Sequence, residues 1–251
     1  MKPRIAIPLP HGADPEYAER AIPQYQRAVE LSGGEPVRIP LDRSPAEVMK
    51  LIERSDAVLL PGSKADVDPA KFGAVRHPKT EAADPKRDTV DELLLQDAYN
   101  MRKPVLGICY GLQILNVYRS GTLVQHIESA VNHEAGRKVP VAHEVEIDPG
   151  SRLAEILRLR EGLIIPANSS HHQSADVIGD GLKIVARCPE DGIIEAVEGT
   201  SPDHFVLAVQ WHPERSFEDD ENSRALFRAL VEAARQKHLE LVGEFEGRQE
   251  S

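Results

Sequence analysis

Residues 104–117, which read PVLGICYGLQILNV, decide the fold. A short apolar run (Val105–Ile108) leads into a Gly-x-Cys-x-Gly turn, and the pattern after the turn is that of an amphipathic helix. A strained turn from strand to helix needs residues without a Cβ on both sides, and it leaves the central residue exposed at its tip. We therefore interpret Cys109 as the nucleophile of an elbow in which sulfur takes the place of oxygen.

The position of Cys109 also bears on its ionisation. The following helix points its amino end at the thiol, so its dipole is expected to favour thiolate over thiol. The second cysteine, Cys188, lies in an apolar stretch without such a turn, and we interpret it as a core residue. Two such cysteines do not make a disulfide scaffold, which fits a reducing cytoplasm.

A histidine and a glutamate complete the candidate chemistry. A thiol that attacks an amide needs a base, and the departing amine needs an acid; histidine commonly serves in both roles. The segment QWHPE at 210–214 follows a strand-like run, so His212 is expected at a strand end, where the elbow also lies. Glu214 is two positions on, and the rigid Pro213 can hold its carboxylate near the imidazole. We predict a Cys109–His212–Glu214 triad.

The first half of the chain reads as alternating strands and helices. Besides the run before Cys109, short apolar runs typical of strands buried on both faces lie at 4–8, 36–39 and 57–60. Helices are predicted at 23–31, after the capping box SPAE at 44–47, and at about 87–102. This order predicts a doubly wound parallel sheet with ligands at the carboxyl ends of its strands.

The second half has a different pattern. Val145 and Ile147 alternate with Glu144 and Glu146, and the apolar runs 193–197 and 206–209 flank a Gly-Thr-Ser-Pro-Asp turn. Antiparallel strands are expected to extend the sheet there, followed by a last helix at about 223–236. We predict a single domain over residues 1–251, with a polar, frayed tail at 238–251.

The composition limits the classes of partner that we expect. The chain has 30 Lys and Arg against 41 Asp and Glu, and its net charge of −11 would repel a polyphosphate backbone, so nucleic acid is not expected. No stretch approaches ~20 apolar residues, so no membrane span is expected. The first residues lack the apolar core and cleavage site of a signal peptide, and we expect a cytoplasmic protein.

The sequence does not indicate a metal site. His171 and His172 are adjacent, and adjacent side chains rarely ligate one ion together; the zinc motifs Cys-x-x-Cys and His-Glu-x-x-His do not occur. Asp66 and Asp68 lack the glycine and distal glutamate of a calcium loop. The other histidines are interpreted as solvated or packed. No cofactor is expected, since acyl transfer from an amide needs no redox chemistry.

Together these residues resemble the class I glutamine amidotransferase-like hydrolases and, within them, the γ-glutamyl-γ-aminobutyrate hydrolase branch. The elbow and the Trp-His-Pro-Glu segment are typical of the whole class. Segments similar to the branch in particular are LPGS at 60–63, DVDP at 66–69, RD at 87–88, NV at 116–117, GTL at 121–123, NSSHHQ at 168–173, DG at 191–192 and EA at 195–196. The similarity runs from about residue 5 to residue 232.

The resemblance implies a flavodoxin-like, three-layer α/β/α fold whose mostly parallel central sheet is extended by antiparallel strands. It implies hydrolysis of a small γ-glutamyl amide through a thioester on Cys109. It also implies an oxyanion hole of backbone N–H groups, at Tyr110 and at Gly62 or Ser63. Residues expected to hold the γ-glutamyl head group are Gln113, Ser169, Ser170 and His171.

Three positions depart from the branch. Ser63 and Ser120 stand where it usually has glycine, and a serine forced to a positive φ would cost about 1 kcal/mol. Tyr110 replaces its usual arginine, and the side chain at this position is expected to help set the preference for the leaving amine.

Several alternatives stay open at this point. The leaving amine can be γ-aminobutyrate, another polyamine-derived amine or a peptide. In place of a stand-alone hydrolase, the chain can be a glutaminase subunit that passes ammonia to a separate synthetase, or a catalytically idle regulatory protein. A homodimer is an open option.

Overall fold

The computed structural model describes residues 2–159 and 163–249, with the side chains of the last helix described through Glu240. The strands in chain order are β1 (Arg4–Pro8), β2 (Glu35–Ile39), β3 (Ala57–Leu60), β4 (Val105–Ile108), β5 (Leu123–Val124), β6 (His143–Ile147), β7 (Ile164–Ala167), β8 (Ser174–Ala175), β9 (Leu182–Arg187), β10 (Ile194–Gly199) and β11 (Val206–Val209). The helices are α1 (Pro15–Leu31), α2 (Pro45–Ile52), α3 (Pro85–Met101), α4 (Tyr110–Tyr118), α5 (Arg152–Ile156), α6 (Pro213–Ser216) and α7 (Glu221–Gln249), with a 3₁₀ turn at Pro69–Phe72.

One mixed sheet organises the molecule. Its nine strands follow the order β2-β1-β3-β4-β11-β10-β9-β6-β7. The strands from β2 to β11 pair in parallel, and those from β11 to β7 pair antiparallel. A separate antiparallel ladder joins β5 and β8. The predicted parallel sheet with an antiparallel extension in the C-terminal half is confirmed.

Helices cover both faces of this sheet. Successive residues of β1 point to opposite sides, as a strand requires, so Ile5 and Ala6 belong to different core clusters. Ile5 packs in one cluster with α1 and α7, and Ala6 packs in the other with α2, α3 and α4. Burial on both faces explains why the central strands are apolar throughout. The three-layer α/β/α architecture is therefore confirmed.

Helix α1 begins earlier than the sequence pattern predicted. Its first residue is Pro15, and the Asp14 side chain caps it by accepting a 2.8 Å hydrogen bond from the Tyr17 N–H. The prediction placed the start at Pro23, because proline is typical of a first helical turn and breaks most helix interiors. Here Pro23 lies inside the helix. The additional turns extend the helix toward the edge of the sheet at which the parallel strands end.

Helix α7 is longer than predicted at both ends. It runs from Glu221 to Gln249, whereas the pattern indicated about 223–236. Residues 238–249, placed in a frayed tail by the sequence, are helical, because the polar segment contains good helix formers such as Leu, Glu and Gln. Residues 250 and 251 lie outside the described residues. No helix within residues 2–159 or 163–249 is long and apolar enough to cross a membrane.

The register of the central strands sets the position of the site. Gly107 in β4 pairs with Leu60 in β3 and with Ala208 in β11. One residue further, Ile108 pairs with Val209. Because these three strands are parallel and end together, the segments that follow them meet at one edge of the sheet.

Candidate active site

Cys109 lies on a strained turn between β4 and α4. Its backbone angles are φ 54° and ψ −105°, and a positive φ is sterically unfavourable for a residue with a side chain. A Cβ added to Gly111 would lie 2.3 Å from the Leu60 carbonyl oxygen, and one added to Gly107 would lie 2.8 Å from the Gly111 carbonyl carbon. Both glycines are therefore required by close backbone packing, as expected for a nucleophile elbow.

His212 follows β11 and is held from two sides. Its Nδ1 lies 2.8 Å from Glu214 Oε1. Its backbone is fixed by Asn168, whose side chain accepts from the His212 N–H at 3.1 Å and donates to the His212 carbonyl at 3.0 Å. A Cβ placed on Gly62 would lie 3.0 Å from His212 Cε1 and 3.7 Å from Cys109 Cβ, so the imidazole and the base of the Cys109 side chain flank the same point.

The bond to Glu214 fixes the tautomer of His212. A carboxylate only accepts, so Nδ1 carries the proton and Nε2 of the neutral ring carries a lone pair. This Nε2 is buried and has no hydrogen-bond partner in the described part of the chain. The nitrogen suited to act as a base is therefore free.

Tyr25 of α1 is a site residue to which the sequence assigned no role. Its buried hydroxyl donates to Glu214 Oε1 and accepts from the Gly62 N–H, both at 3.1 Å. The Gly62 N–H is thus already bonded. Of the N–H groups predicted to form an oxyanion hole, those of Ser63 and Tyr110 remain the candidates. A single tyrosine in a helix carries no local signal for such a contact.

The two serines that replace glycine differ in backbone conformation. Among the described residues, Ser120 has a positive φ of 71°, while Ser63 is not among the non-glycine residues with positive φ. Serine therefore fits at position 63 without that strain. The Ser63 side chain accepts a 3.1 Å hydrogen bond from the Ala65 N–H, which supports the turn.

The side chain of Tyr110 lies beneath the elbow and not in the pocket. Its hydroxyl donates to Asp88 Oδ1 at 2.7 Å, and the Arg87 guanidinium lies 5.0 Å from its ring centroid. The buried Asp88 at the start of α3 thus draws the ring inward. The expectation that this side chain helps select the leaving amine is corrected: only the backbone N–H of Tyr110 is placed near the thiol.

A pocket of about 640 Å³ opens over the thiol. Cys109 and His212 both lie in its wall, beside Gln113, Ser170 and His171. Charged side chains of both signs complete the wall; they are Lys64, Asp66, Lys79, Glu81, Glu134, Arg137 and Arg215. This volume suits a small polar molecule with charged ends.

Two of the predicted head-group residues are in this wall and keep polar contacts there. The Gln113 amide donates to the Gln173 carbonyl at 3.1 Å and to Gln210 Oε1 at 3.3 Å. Ser170 Oγ accepts from Arg215 Nη1 at 2.7 Å. Arg215, one residue after Glu214, is a pocket cation that the sequence analysis did not single out.

The other two predicted head-group residues face elsewhere. Ser169 is fully buried behind the wall, where its hydroxyl donates to the His133 carbonyl at 2.6 Å. His171 borders the pocket, but its Nδ1 lies 2.9 Å from the Gln173 carbonyl and its Nε2 faces Glu195. Direct contact of either side chain with a substrate stays a prediction.

Burial governs the charge states of the three residues predicted to form the triad. Burial raises the pKa of the Cys109 thiol to about 12 and outweighs the opposing effect of Arg215. The helix dipole was expected to favour the thiolate, whereas burial of the thiol favours its neutral form. Burial also lowers the pKa of His212, against the attraction of Glu214. Although burial opposes its charge, His212 and Arg215 hold the pKa of Glu214 below its ordinary value.

A flavodoxin-like sheet with a cysteine at the elbow and a histidine–glutamate pair after the neighbouring strand is the arrangement of class I glutamine amidotransferase-like proteins. The chain belongs to the Peptidase C26 family, whose sequence profile matches residues 9–214.

Proteins with similar sequences are named as glutamine amidotransferases or as gamma-glutamyl-gamma-aminobutyrate hydrolases. A Mycobacterium tuberculosis protein that is provisionally named a glutamine amidotransferase is 40% identical over 214 residues, which cover 84% of this chain and 66% of that longer protein. Gamma-glutamyl-gamma-aminobutyrate hydrolase PuuD of Escherichia coli (strain K12) is 32% identical over 226 residues, which cover 86% of each chain. These similarities support a glutamine amidotransferase-like hydrolase activity.

Two solved structures have a fold similar to that of this chain. The glutaminase domain of Trypanosoma brucei CTPS with bound acivicin superposes with a TM-score of 0.64 at 17% identity, over 94% of each chain. A Thermoplasma acidophilum protein provisionally described as a GMP synthase subunit has a TM-score of 0.66 at 14% identity, over 100% of this chain and 99% of that one.

Proposed function

We propose that this chain is a stand-alone hydrolase that cleaves a γ-glutamyl amide bond through a thioester on Cys109. The observation that carries the proposal is His212, which shares the pocket wall with Cys109 and whose Nδ1 is held by Glu214 at 2.8 Å, while its Nε2 has no partner among the described residues. A thiol, a positioned base and an orienting carboxylate are the parts that covalent acyl transfer needs.

In the acylation step, the Cys109 sulfur attacks the γ-carbonyl carbon while its proton moves to His212 Nε2. The carbonyl oxygen becomes an oxyanion, which the N–H groups of Tyr110 and Ser63 are suited to stabilise; each such donor contributes about a hundredfold or more in rate. The imidazolium then donates its proton to the amide nitrogen. The C–N bond breaks, the amine leaves, and a γ-glutamyl thioester remains.

In the deacylation step, water takes the place of the amine. His212 Nε2 accepts a proton from this water as its oxygen attacks the thioester carbon. The tetrahedral intermediate collapses, the C–S bond breaks, and His212 returns the proton to the sulfur. Glutamate leaves and the resting site is restored, so each turnover consumes one amide and one water.

The charge states favour this order of events. A thiol with a raised pKa and an imidazole with a lowered pKa are both neutral at rest, so proton transfer accompanies the attack and does not precede it. Glu214 stays ionised and stabilises the imidazolium that forms.

The charges of the wall support a substrate with several charged ends. We infer that Gln113, Ser170 and Arg215, which lie in the wall with the thiol, bind the α-amino and α-carboxylate groups of the γ-glutamyl moiety. Lys79 and Arg137 add positive charge to the same wall. A leaving amine that bears a carboxylate, as γ-aminobutyrate does, therefore suits the pocket.

The test is a comparison of three purified proteins on a panel of γ-glutamyl amides. Wild type, Cys109→Ala and the matched control Cys188→Ala are incubated with glutamine, γ-glutamyl-γ-aminobutyrate and its isostere without the carboxylate, γ-glutamyl-butylamide. Released glutamate is quantified. We expect release by wild type and Cys188→Ala but not by Cys109→Ala, with kcat/KM about tenfold or more higher for the amide of γ-aminobutyrate than for the butylamide.

Other outcomes identify the alternatives. Glutamate release that appears only with glutamine and an added synthetase partner would replace this proposal with a glutaminase subunit. The absence of release from all amides, with an intact fold and no acylation of Cys109 by an electrophilic glutamine analogue, would favour a catalytically idle protein.

A further inference from the structure

At and behind the pocket wall, four buried side chains from four separate segments converge. His133 lies in the loop before β6, His143 begins β6, His171 follows β7, and Glu195 lies in β10. All four are nearly inaccessible to solvent. We call this group the histidine–glutamate cluster. The proposed catalytic reaction does not use it.

In each histidine of the cluster, one ring nitrogen faces Glu195, and we call it the inner nitrogen. The other, outer nitrogen lies within hydrogen-bond distance of an acceptor. His133 Nε2 lies 2.9 Å from Asp191 Oδ2, His143 Nδ1 lies 3.0 Å from the Glu144 carbonyl, and His171 Nδ1 lies 2.9 Å from the Gln173 carbonyl. Carbonyl and carboxylate oxygens only accept, so these ring nitrogens donate. On each neutral ring, the inner nitrogen therefore carries a lone pair.

The inner atoms face one another without hydrogen bonds. The three inner nitrogens and both Glu195 oxygens are buried and have no hydrogen-bond partner within residues 2–159 and 163–249. Glu195 is fully buried among these imidazoles, and neither of its oxygens has a hydrogen-bond donor in the described residues. Lone pairs and a negative charge that face one another in a buried space are unfavourable unless a cation lies among them.

The distances within the cluster fit ligands of one ion. Glu195 Oε1 lies 3.5 Å from His133 Nδ1, 3.5 Å from His143 Nε2 and 3.6 Å from His171 Nε2. Hydrogen bonds between nitrogen and oxygen are shorter, at about 2.7–3.2 Å. Zinc–ligand bonds of about 2.0–2.1 Å at tetrahedral angles place neighbouring ligand atoms about 3.3–3.4 Å apart. These three separations are close to tetrahedral edges, and all four ligand atoms lie within 4.8 Å of one another.

We propose that His133, His143, His171 and Glu195 bind one Zn²⁺ ion. Three imidazoles and a carboxylate suit zinc among the divalent metals, and four protein ligands close the coordination sphere, as in structural sites. The bond from His133 to Asp191 is the kind of outer contact that orients a ligating histidine and increases its basicity.

A neighbouring group of possible ligands, formed by His133, Cys188 and Asp191, is a weaker candidate. The Asp191 oxygens already accept from Ser129 Oγ at 2.6 Å and from the Ile193 N–H at 3.1 Å. The 2.9 Å contact of Asp191 with His133 is itself a hydrogen bond. Asp191 therefore has partners already, whereas Glu195 has none in the described residues.

The ion would tie the pocket wall to the sheet. The His133 carbonyl accepts from the His171 N–H at 2.9 Å, and the loop that follows His133 supplies Glu134 and Arg137 to the pocket. Glu195 is anchored in β10, where its carbonyl accepts from the Gln210 N–H at 2.7 Å. Zinc at the cluster would thus fix the loop that faces the substrate, and its loss would raise KM more than it lowers kcat.

Metal analysis of tag-free protein tests the site directly. Wild type and Cys109→Ala, the latter to remove the catalytic thiol as a competing ligand, are loaded with ZnCl₂, dialysed and analysed by mass spectrometry for zinc. We expect one zinc per chain in both, and at least a tenfold loss of zinc in Glu195→Gln. The matched controls His172→Ala, next to His171 in the sequence, and Cys188→Ala are expected to retain zinc.

Two further measurements use only the wild type, so they do not depend on whether the variants fold. Removal of zinc by a chelator is expected to lower Tm by about 5–10 °C, and ZnCl₂ alone is expected to restore it. X-ray absorption is expected to show nitrogen and oxygen neighbours at about 2.0–2.1 Å and no sulfur at about 2.3 Å.

Three results would overturn the proposal. The first is far less than one zinc per chain in loaded wild type, together with a Tm that the chelator does not change; protons on the histidines would then neutralise Glu195. The second is full zinc content in Glu195→Gln. The third is a sulfur neighbour, which would move the ion to Cys188 or Cys109. None of these depends on the hydrolase activity.

Discussion

A single buried histidine paired with a glutamate, and a buried cluster of three histidines with a glutamate, lie at the same pocket, and they differ in spacing and origin. In the triad, His212 and Glu214 come from one short segment and are 2.8 Å apart, within hydrogen-bond distance. In the histidine–glutamate cluster, four separate segments contribute, and the three histidine nitrogens lie 3.5–3.6 Å from Glu195 Oε1. The same two side-chain types are thus spaced to hold an imidazole by a hydrogen bond in one place and to surround an ion in the other.

The largest effect expected to separate the two regions comes from His212→Ala. Loss of the base should reduce kcat by about 10⁴-fold or more while zinc content stays unchanged. Steady-state kinetics and metal analysis on the same preparation measure both quantities. His238→Ala, a histidine of α7 bonded to Asp56, is the control. Parallel loss of zinc and activity in His212→Ala would contradict the separation.

A pair of matched carboxylate variants comes next. Glu214→Gln should reduce kcat by about 10³–10⁴-fold, because the amide no longer stabilises the imidazolium, and should leave zinc bound. Glu195→Gln should lose zinc, raise KM and change kcat much less. The kcat and KM of both variants, read against their zinc content, distinguish the roles. Equal losses of kcat in the two variants would show that the distinction is wrong.

A smaller effect is expected from Tyr25→Phe. This variant removes the hydroxyl that joins Glu214 to the Gly62 N–H, and two hydrogen bonds in a buried site contribute roughly 10- to 30-fold in kcat. KM and zinc content should change little, since Tyr25 acts by positioning the triad. Tyr118→Phe serves as the control for loss of a hydroxyl elsewhere. If kcat is unchanged in Tyr25→Phe, the positioning role is excluded.

The smallest effect concerns pH. The base must be neutral, so activity is present above the pKa of His212 and is lost as pH falls through it. Burial lowers that pKa, so the acidic limb of kcat/KM should have its midpoint below the ordinary value of 6.5. Because the pKa of Cys109 is raised to about 12, no further rise is expected between about pH 7 and 9. Zinc content must be recorded at each pH, since protons compete with zinc for histidine.

The same contrast explains what the sequence could predict. The elbow, the strands beside it and the pair His212 and Glu214 are defined by neighbours in the chain, so spacing and glycines were sufficient. The cluster is assembled from four distant segments, and its histidines have no motif spacing. The sequence analysis considered His171 with the adjacent His172, whereas its partners in the fold are His133 and His143.

Long-range contacts also account for the other differences. Tyr25 in α1 contacts Glu214, which lies 189 positions further along the chain. The Tyr110 ring turns inward because Asp88, 22 positions away, accepts its hydroxyl. The tertiary fold decides each of these contacts, and propensity or periodicity carries no information about them.

The strained backbone of Cys109 has a consequence for the evolution of related sequences. A side chain at φ 54° makes the folded state less stable by about 1–3 kcal/mol, and glycine at this position would relieve that strain. Selection for stability and selection for chemistry therefore oppose each other at this residue. Once the reaction no longer matters to the organism, drift should replace the cysteine early, and a glycine at the elbow of a related sequence would mark a descendant that has abandoned catalysis.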